Sequence, residues 1–595
     1  MTVLHSLNRL FAKWGWAVIV LLAVSYYASF FSHGLNLGGE GGTTAVIAMR
    51  LMEGQRPIVD TFLGYNVLWF YPVAWLFQVT GPSYPALRAF FFAICTLTAL
   101  LGWRVVLRVA GSGILALATG IVLVLIPGML FRNYMGLLPV ANQLAMVSAF
   151  LLPGARGLTG RVLGIAASGA VLGLTYLVRI EVGLLLTVIW LGLFAVILLR
   201  PGSQSPRQWQ PAIAGLGAGL LAFLAVHGPF VIDAHQRGFL REFTGQYTAF
   251  VGYFRWEIQK EIESLRKQFA RPNNPPHPEP AVPQMTGTSH VSAVTPPPQS
   301  GTDVADGRRA RPPVSEILTG ERSRDRFFAA AVYLPLPLAG MMVLGGLVAV
   351  ILAMVRRDPA LWDDAWTVLV LTGCSLTLLP QYFSFRPDTP HITEFMVPFW
   401  VALSCSLAIL SRRAWLSRRK STVTLAVVSG LAVALMLFVH FGHAWPKESA
   451  GTIAARKHGP AVFEGSNGVR VYLRPDRAEA MTGLHRKIVE NSQPGEWVVC
   501  YPYSPTINFM TDRPSYLWDL YTDNTLAGRE FDDFHIRLAK EKQPAVVVID
   551  HRAINNSEAS RFPNWARDFY NYLTANYEIV GTFAGNEVFV RRRSP

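Results

Sequence analysis

The sequence predicts a polytopic α-helical membrane protein with about eleven transmembrane helices and a C-terminal α/β domain outside the membrane. Of the 595 residues, 51% are apolar and only 15% are Asp, Glu, Lys or Arg, whereas a soluble domain devotes roughly a quarter of its residues to those four types. The apolar residues are gathered in runs of membrane-spanning length. Residues 446–595 lack such runs and alternate strand-like with helix-like segments.

Eleven apolar runs are long enough for a bilayer core, which a helix of roughly 20 residues crosses. The segment 66–81 is shorter, aromatic and interrupted by Pro72, so we expect it to lie at the membrane interface. No small-residue cleavage site follows the charged N-terminus, which favours a retained anchor over a removed signal peptide. The runs lie near 14–32, 85–104, 112–130, 137–153, 162–178, 180–199, 210–230, 329–355, 362–380, 393–411 and 421–441.

The arginines indicate the orientation, because short cytoplasmic loops concentrate Lys and Arg. With a cytoplasmic N-terminus and a non-crossing 66–81 segment, every cytoplasmic loop contains arginine, including the doubled arginines at 412–413 and 418–419. The same arrangement places the 33–84 loop and the 446–595 region outside. Topology therefore explains the net charge of +15, and we expect no nucleic-acid binding.

Two regions accompany the transmembrane domain, which we assign to residues 1–445. Residues 271–315 are rich in proline and poor in apolar residues, which predicts a disordered external loop after a helix over 238–270. Residues 446–595 are predicted to form a small α/β domain. The four cysteines, at 95, 374, 405 and 500, show no close pair of the zinc or redox kind, and we expect no disulfide within the C-terminal region.

Ionisable residues gather near the predicted external ends of the spans, where such groups mark functional cavities. Glu40 stands out because the segment LGGEGGT (37–43) surrounds it with glycines, which would let a ligand or the backbone approach closely. Glu40 also precedes a helical segment. The dipole at a helix N-terminus favours an acid there, which would explain Glu40 without any catalytic function. The whole set is Glu40, Asp60, Arg132, Arg179, Glu181, Asp233, His235, Arg386, Asp388 and His391.

An acid follows the first span directly, a short helix carries RLMEGQRPIVDTF (50–62), and the aromatic segment GYNVLWFYPVAWLFQVTGPSYPALR (64–88) leads into the next span. These features resemble the GT-C superfamily of membrane glycosyltransferases, especially its protein O-mannosyltransferase-like and aminoarabinose-transferase-like branch. In that family the first external loop carries the catalytic acid, commonly in an Asp-Glu pair. Glu40 matches the glutamate, and Gly39 stands at the position of the aspartate.

The resemblance implies transfer of a sugar from a polyprenyl-phosphate donor to an acceptor hydroxyl, with inversion at the anomeric carbon. Glu40 would act as general base, and arginines would stabilise the charge that grows on the departing phosphate. No cofactor is assigned, and a divalent cation is left open, with Asp233 and His235 as its candidate ligands. The expected substrate-binding residues are Asp60, Arg132, Arg179, Glu181, Arg386, Asp388 and His391, with Arg386 first for the phosphate.

Two other functions remain open. A transporter or flippase of a lipid-linked sugar would also have many spans and intramembrane arginines, and a non-catalytic scaffold would present the C-terminal domain to partners in the cell envelope. The polar groups at one face and the folded external domain favour the transferase. We therefore expect a polyprenyl-phosphate-sugar donor, a glycan, glycolipid or protein acceptor and membrane lipids as partners, at the cytoplasmic (inner) membrane.

A reporter fused after Pro595 tests this orientation. We expect it to be exposed at the external face, because the arginine-rich loops hold the other face in the cytoplasm. The measurement is reporter activity in intact cells with a fusion at the N-terminus as control. A cytoplasmic signal from the C-terminal fusion would mean that the 66–81 segment crosses the membrane.

Overall fold

The computed structural model describes residues 2–592 except residues 30, 39, 126–133, 152–157, 200–205, 270–311, 313, 386–388, 418–422, 425–426, 443–460, 523–528 and 554–557. The predicted proline-rich loop, 271–315, lies almost entirely outside the described residues. So do Arg132, Arg386 and Asp388 of the predicted site.

The N-terminal part of the chain is helical, as the apolar runs predict. Helix α6 continues into a π-helical segment at Val147–Leu151, and a second such segment, Pro380–Phe385, follows α14. The helices are α1 (Thr2–Ala28), α2 (Glu40–Met52), α3 (Tyr71–Thr80), α4 (Tyr84–Ala110), α5 (Gly113–Leu125), α6 (Tyr134–Met146), α7 (Leu158–Val178), α8 (Ile180–Leu198), α9 (Pro206–Gln236), α10 (Leu240–Phe269), α11 (Glu316–Thr319), α12 (Ser323–Tyr333), α13 (Pro335–Arg356), α14 (Pro359–Leu376), α15 (Thr389–Ser417) and α16 (Val427–Gly442).

Among the described residues, eight helices are long and apolar enough to span a membrane. The predicted fold class, a polytopic helical protein followed by a small sheet domain, is confirmed. The other three predicted spans also fall on helices: α5 and α16 are shorter in their described parts, and α14 carries Asp363 and Asp364 in its second turn. The number of eleven crossings therefore stays a prediction.

One end of the helical bundle carries the chain's N-terminal segment and several arginines. Asn8 of α1 accepts hydrogen bonds from the Ser112 hydroxyl (3.2 Å) and the Ile114 N–H (3.3 Å), which joins this segment to the α4–α5 turn. Asp364, near the start of α14, pairs with two arginines near the end of α15, with Arg412 at 2.5 Å and with Arg413 at 2.7 Å. Gly102 of α4 faces both Leu123 and Val401, and Thr119, one turn earlier in α5, bonds to Ser404, nearly one turn later in α15. Helices α5 and α15 therefore run in opposite directions, and the α4–α5 turn lies at the same end of the bundle as Arg412 and Arg413.

The opposite end gathers the loops that were predicted to be external. Asn66 in the first loop donates from its side chain to the Tyr176 carbonyl (2.9 Å) and from its backbone to the Val178 carbonyl (3.2 Å). Arg237, just beyond α9, donates to the carbonyls of Gly54 (2.9 Å) and Gln55 (3.0 Å). The first loop therefore closes over the ends of α7 and α9.

The C-terminal domain consists of a hairpin and a four-stranded mixed sheet in the order β3-β4-β6-β5. Strands β3 and β4 are parallel and wholly buried, as their uninterrupted apolar sequences predict. The elements are β1 (Ala461–Glu464), β2 (Arg470–Leu473), α17 (Pro475–Glu490), β3 (Val498–Tyr501), α18 (Thr506–Thr511), α19 (Arg529–Lys542), β4 (Val546–Asp550), α20 (Phe562–Trp565), α21 (Arg567–Asn576), β5 (Tyr577–Phe583) and β6 (Asn586–Arg591).

The predicted alternation of helices and strands in this domain is found, with two differences. The sequence of 562–577 has the pattern of a single helix, but the helix is interrupted at Ala566. The β1–β2 hairpin and α18 were not predicted, because each element is short and forms hydrogen bonds with the distant first loop. The backbone of Tyr472 in β2 exchanges hydrogen bonds with the first loop, donating to Ser32 (2.7 Å) and accepting from Gly34 (3.1 Å).

The C-terminal domain should lose stability in mild acid because of His535. The ring is buried, its Nδ1 lies 2.7 Å from the Tyr501 hydroxyl, and burial lowers the pKa of His535 to about 4. An unfolded chain, with a histidine pKa near 6.5, binds the proton first as the pH falls. Stability is therefore lost between about pH 6.5 and 4, by up to about 3 kcal/mol.

Thermal unfolding of the purified protein at several pH values between 7 and 4 checks this expectation. The variant His535→Gln should show a shallower fall of the melting temperature than the wild type. The same slope in both proteins would assign the acid sensitivity to other groups.

Candidate functional site

Arg179 occupies the break between α7 and α8 at the polar end of the bundle. The residue has an extended backbone (φ −148°, ψ 116°), so the two helices do not merge. Asn66 satisfies carbonyl groups that the last turn of α7 leaves without helical partners. The Arg179 side chain is buried, with 7% of the residue exposed.

Four groups surround the Arg179 guanidinium. The carboxylate of Glu181 pairs with Nε and Nη2, and Nη2 also donates to Gln381 Oε1 at 2.5 Å. Nη1 lies 3.8 Å from Met135 Sδ, and the guanidinium carbon lies 5.5 Å from the centroid of the Tyr65 ring. Three helical elements and the first loop thus converge on one buried cation, which needs such partners to stay charged.

Helix α15 adds a carboxylate that acts on this cation. His391, Thr393 and Glu394 are all buried in its first turns, and the Glu394 carboxylate acts electrostatically on Arg179. The sequence pointed to His391 but missed Glu394 and Gln381. An acid at the start of a predicted span, 393–411, is a signal that could have found Glu394.

A small cavity of about 10 Å³ borders Arg179 and has room for about one water molecule. Tyr134, the first residue of α6, is buried, and its hydroxyl has no hydrogen-bond partner among the described residues. Arg179 and Tyr134 therefore border the same cavity, and each carries a group that can donate a hydrogen bond to an anionic oxygen. The lining residues are Tyr134, Met135, Leu138, Pro139, Thr175, Val178, Arg179 and Val182.

Two predicted acids are held in local ion pairs away from Arg179. Asp60 accepts hydrogen bonds from the Arg56 guanidinium (3.0 and 3.1 Å), and these hold the pKa of the Asp60 carboxyl below its usual range. Asp233 lies 3.4 Å from Arg237. Asp60 therefore stabilises the turn after α2. Asp233 pairs with Arg237, the arginine that donates hydrogen bonds to the first loop.

The described residues offer no group of three or more His, Cys, Asp or Glu that could hold a metal ion. His235 is exposed in the last turn of α9, and Asp233 already has Arg237 as its partner. The candidate cation ligands suggested by the sequence do not fit a metal site in this part of the chain.

Glu40 is the first residue of α2, and the glycines around it have a partner that the sequence did not reveal. A Cβ atom on Gly38 would lie 2.4 Å from the Tyr503 carbonyl oxygen, and one on Gly42 would lie 2.0 Å from Thr506 Oγ1. These two glycines do allow a close approach, but the group that approaches is the C-terminal domain. The sequence allowed a ligand or the backbone to approach at the glycines, and at Gly38 and Gly42 the approaching groups include the backbone of the C-terminal domain.

No protein-family model matches the chain, and no curated protein matches it. Among solved structures, the chain is similar to ArnT from Cupriavidus metallidurans in the apo state, with 15% identity and a TM-score of 0.48, over 97% of this chain and 98% of that one. It is also similar to ArnT from the same organism bound to undecaprenyl phosphate, with 14% identity and a TM-score of 0.47, over 98% and 99% of the two chains. At these values the activity has to be argued from this chain's own residues.

Replacing Glu181 with Gln should destabilise the protein strongly. The change leaves a buried guanidinium without its closest carboxylate, and breaking a buried pair in this way typically costs about 3–5 kcal/mol. The measurement is the melting temperature of the purified protein in detergent. Arg412→Gln is the matched control, because Arg412 is half-exposed at the other end of the bundle and exposed pairs contribute at most about 1 kcal/mol. Equal losses in the two variants would contradict the importance of the buried pair.

Proposed function

We propose that this protein is a membrane glycosyltransferase that moves a sugar from a polyprenyl-phosphate-linked donor to an acceptor at the external face of the cytoplasmic membrane. The observation that carries the proposal is the buried Arg179 guanidinium with its bordering cavity, at the end of the helical bundle. Lipid phosphates lie beyond the two ends of membrane-spanning helices, and a guanidinium is a strong charge-assisted donor to a phosphate oxygen.

The bonding of Arg179 supports a role in phosphate binding. Glu181 and Gln381 take up Nε and Nη2, so the side chain is fixed before a substrate arrives. Among the described residues, Nη1 has only the thioether of Met135 as a partner, and a thioether is a weak acceptor. We assign Nη1 and the Tyr134 hydroxyl to the phosphate oxygens, where a preorganised donor stabilises the charge on the leaving group.

Glu40 is assigned as the general base of the transfer. Its carboxylate takes the proton from the acceptor hydroxyl while the hydroxyl oxygen forms a bond to the anomeric carbon. The bond from that carbon to the phosphate oxygen breaks, and the lipid phosphate leaves with the electron pair on its oxygen. Such proton transfer contributes roughly 10²–10⁴-fold to the rate. Attack opposite the leaving group inverts the anomeric configuration.

The charges of the two ends of the bundle support the orientation. The end that carries Asn8 and the α4–α5 turn also carries Arg412 and Arg413, as cytoplasmic loops do. We place the other end, with Arg179, the first loop and the C-terminal domain, outside.

The Glu40→Gln variant tests the assignment of the base. It keeps the size of the side chain and removes the proton acceptor, so kcat should fall roughly 10²–10⁴-fold. The assay adds purified protein and a polyprenyl-phosphate sugar to membranes of cells that lack the protein, because these contain the unmodified acceptor. Glu464→Gln, at an exposed residue of the β1–β2 hairpin, is the control and should keep the wild-type rate.

The outcomes separate the competing functions. Wild-type transfer by Glu40→Gln would exclude Glu40 as the base. If the wild-type protein transfers no sugar but carries the lipid-linked sugar across reconstituted vesicles, the protein is a transporter. Glycolipid and glycan profiles of cells with and without the protein identify the sugar and the acceptor.

A further inference from the structure

The C-terminal domain forms hydrogen bonds with the first loop both before and after α2. Before the helix, Thr506 donates from its backbone to the Leu37 carbonyl (3.1 Å) and from its hydroxyl to the Asn36 carbonyl (2.8 Å). After the helix, Trp518 donates from its indole to the Ile58 carbonyl (3.1 Å), and its own carbonyl accepts from the Phe62 N–H (2.7 Å). Helix α2 is therefore framed by a different domain and not by its neighbours in sequence alone.

Arg50, in the last turn of α2, makes the buried part of this contact. Only 5% of the residue is exposed. Nη1 donates to Thr61 Oγ1 (3.0 Å) and to the Leu517 carbonyl (2.8 Å), and Nη2 donates to the Ser515 carbonyl (2.6 Å). Two of the three acceptors belong to the C-terminal domain.

Arg50 does more than fill space between α2 and the C-terminal domain. Burial lowers the pKa of Arg50 to about 10, while the nearby carboxylates of Glu53 and Asp519 act on it in the opposite direction, so the group stays charged at neutral pH. A buried charge is costly unless its hydrogen bonds are made, and all three that Arg50 makes are to neutral oxygens. The position of α2 relative to the 515–517 segment is thereby fixed.

The other end of α2 is fixed by shape. Gly42 lies so close to Thr506 that an added Cβ would be 2.0 Å from Oγ1 and 2.8 Å from the backbone nitrogen. Helix α2 is thus held at Gly42 and at Arg50 by the same domain. Ten residues of helix separate Glu40 from Arg50, about 15 Å at 1.5 Å per residue, and a helix of this length transmits a shift of one end to the other.

We infer that Arg50 is a positioning residue, which fixes α2 against the C-terminal domain and thereby sets the place of Glu40. The inference rests on the proposed function, because Glu40 has its role only there. The C-terminal domain is accordingly part of the catalytic unit. A displacement of about 1 Å at a reacting group can cost about 10²-fold in rate.

The variants Arg50→Gln and Arg50→Lys test the inference in the full-length protein. We expect kcat to fall on the order of 10²-fold in Arg50→Gln with the KM for the donor little changed, because Arg179 makes none of its described contacts to α2. The kcat of Arg50→Lys should lie between those of the wild type and Arg50→Gln. An ammonium lacks the planar guanidinium group that reaches acceptors in two separate segments of the chain. Hydrogen exchange should become faster in α2 and stay unchanged in β3 and β4.

Two controls separate positioning from folding. Arg513 is also a buried arginine, but all its hydrogen bonds stay within the C-terminal domain, to Ser492, Thr511 and Asp512. Arg513→Gln should lower the melting temperature without faster exchange in α2. Gly42→Ala should act like Arg50→Gln, because the methyl group pushes α2 from Thr506, whereas Gly217→Ala meets no atom within 4 Å and should be neutral.

The readouts also distinguish the inference from the proposed function. If Arg50→Gln keeps kcat and the exchange rates of α2, or if it loses activity only in proportion to its folded fraction as Arg513→Gln does, Arg50 is not a positioning residue. Faster exchange in α2 in a protein that transfers no sugar would leave the mechanical link intact and reject the glycosyltransferase. If the variants contradict the role of Arg50 but the activity still depends on Glu40, the proposed transferase function stands.

Discussion

The buried guanidinium of Arg179 is the constraint around which the polar end of the bundle is built. Removing a cation from water costs several kcal/mol, which only close partners of good geometry can offset. The chain supplies these partners from four separate places, with Glu181, Gln381, Met135 and Tyr65 around one side chain. The break between α7 and α8, the π-helical segment after α14 and the course of the first loop all serve that convergence.

A second constraint acts through the C-terminal domain. Its segment 503–506 meets the first loop so closely that Gly38 and Gly42 have no room for a side chain, and its segment 515–518 forms hydrogen bonds with Arg50 and with the chain beyond α2. In the function that we propose, the bundle places a cation for a phosphate, and the C-terminal domain places the helix that begins at Glu40. A transferase needs both groups at fixed separation, because the attacking hydroxyl and the leaving phosphate lie on opposite sides of one carbon atom.

Local patterns accounted for most of the fold. Apolar runs of fixed length predict spanning helices because lipid offers backbone groups no partners outside the helix. Uninterrupted apolar strands such as Val546–Asp550 are recognisable because they are buried on both faces. The β1–β2 hairpin and α18 escaped prediction because Tyr472 and Thr506 bond to the first loop, some 440 to 470 residues earlier in the chain, which no local pattern records.

The sequence by itself determined the membrane class, the helices, the alternating C-terminal domain and the side of the bundle where Arg179, Glu181 and His391 lie, since these follow from hydrophobic length, period and charge. Only the tertiary structure decided that Glu394 and Gln381 join Arg179, that Asp60 and Asp233 are spent on local ion pairs, and that the glycines at 38 and 42 receive another domain. Such pairings depend on distances between segments far apart in the chain. A single sequence carries the groups but not those distances.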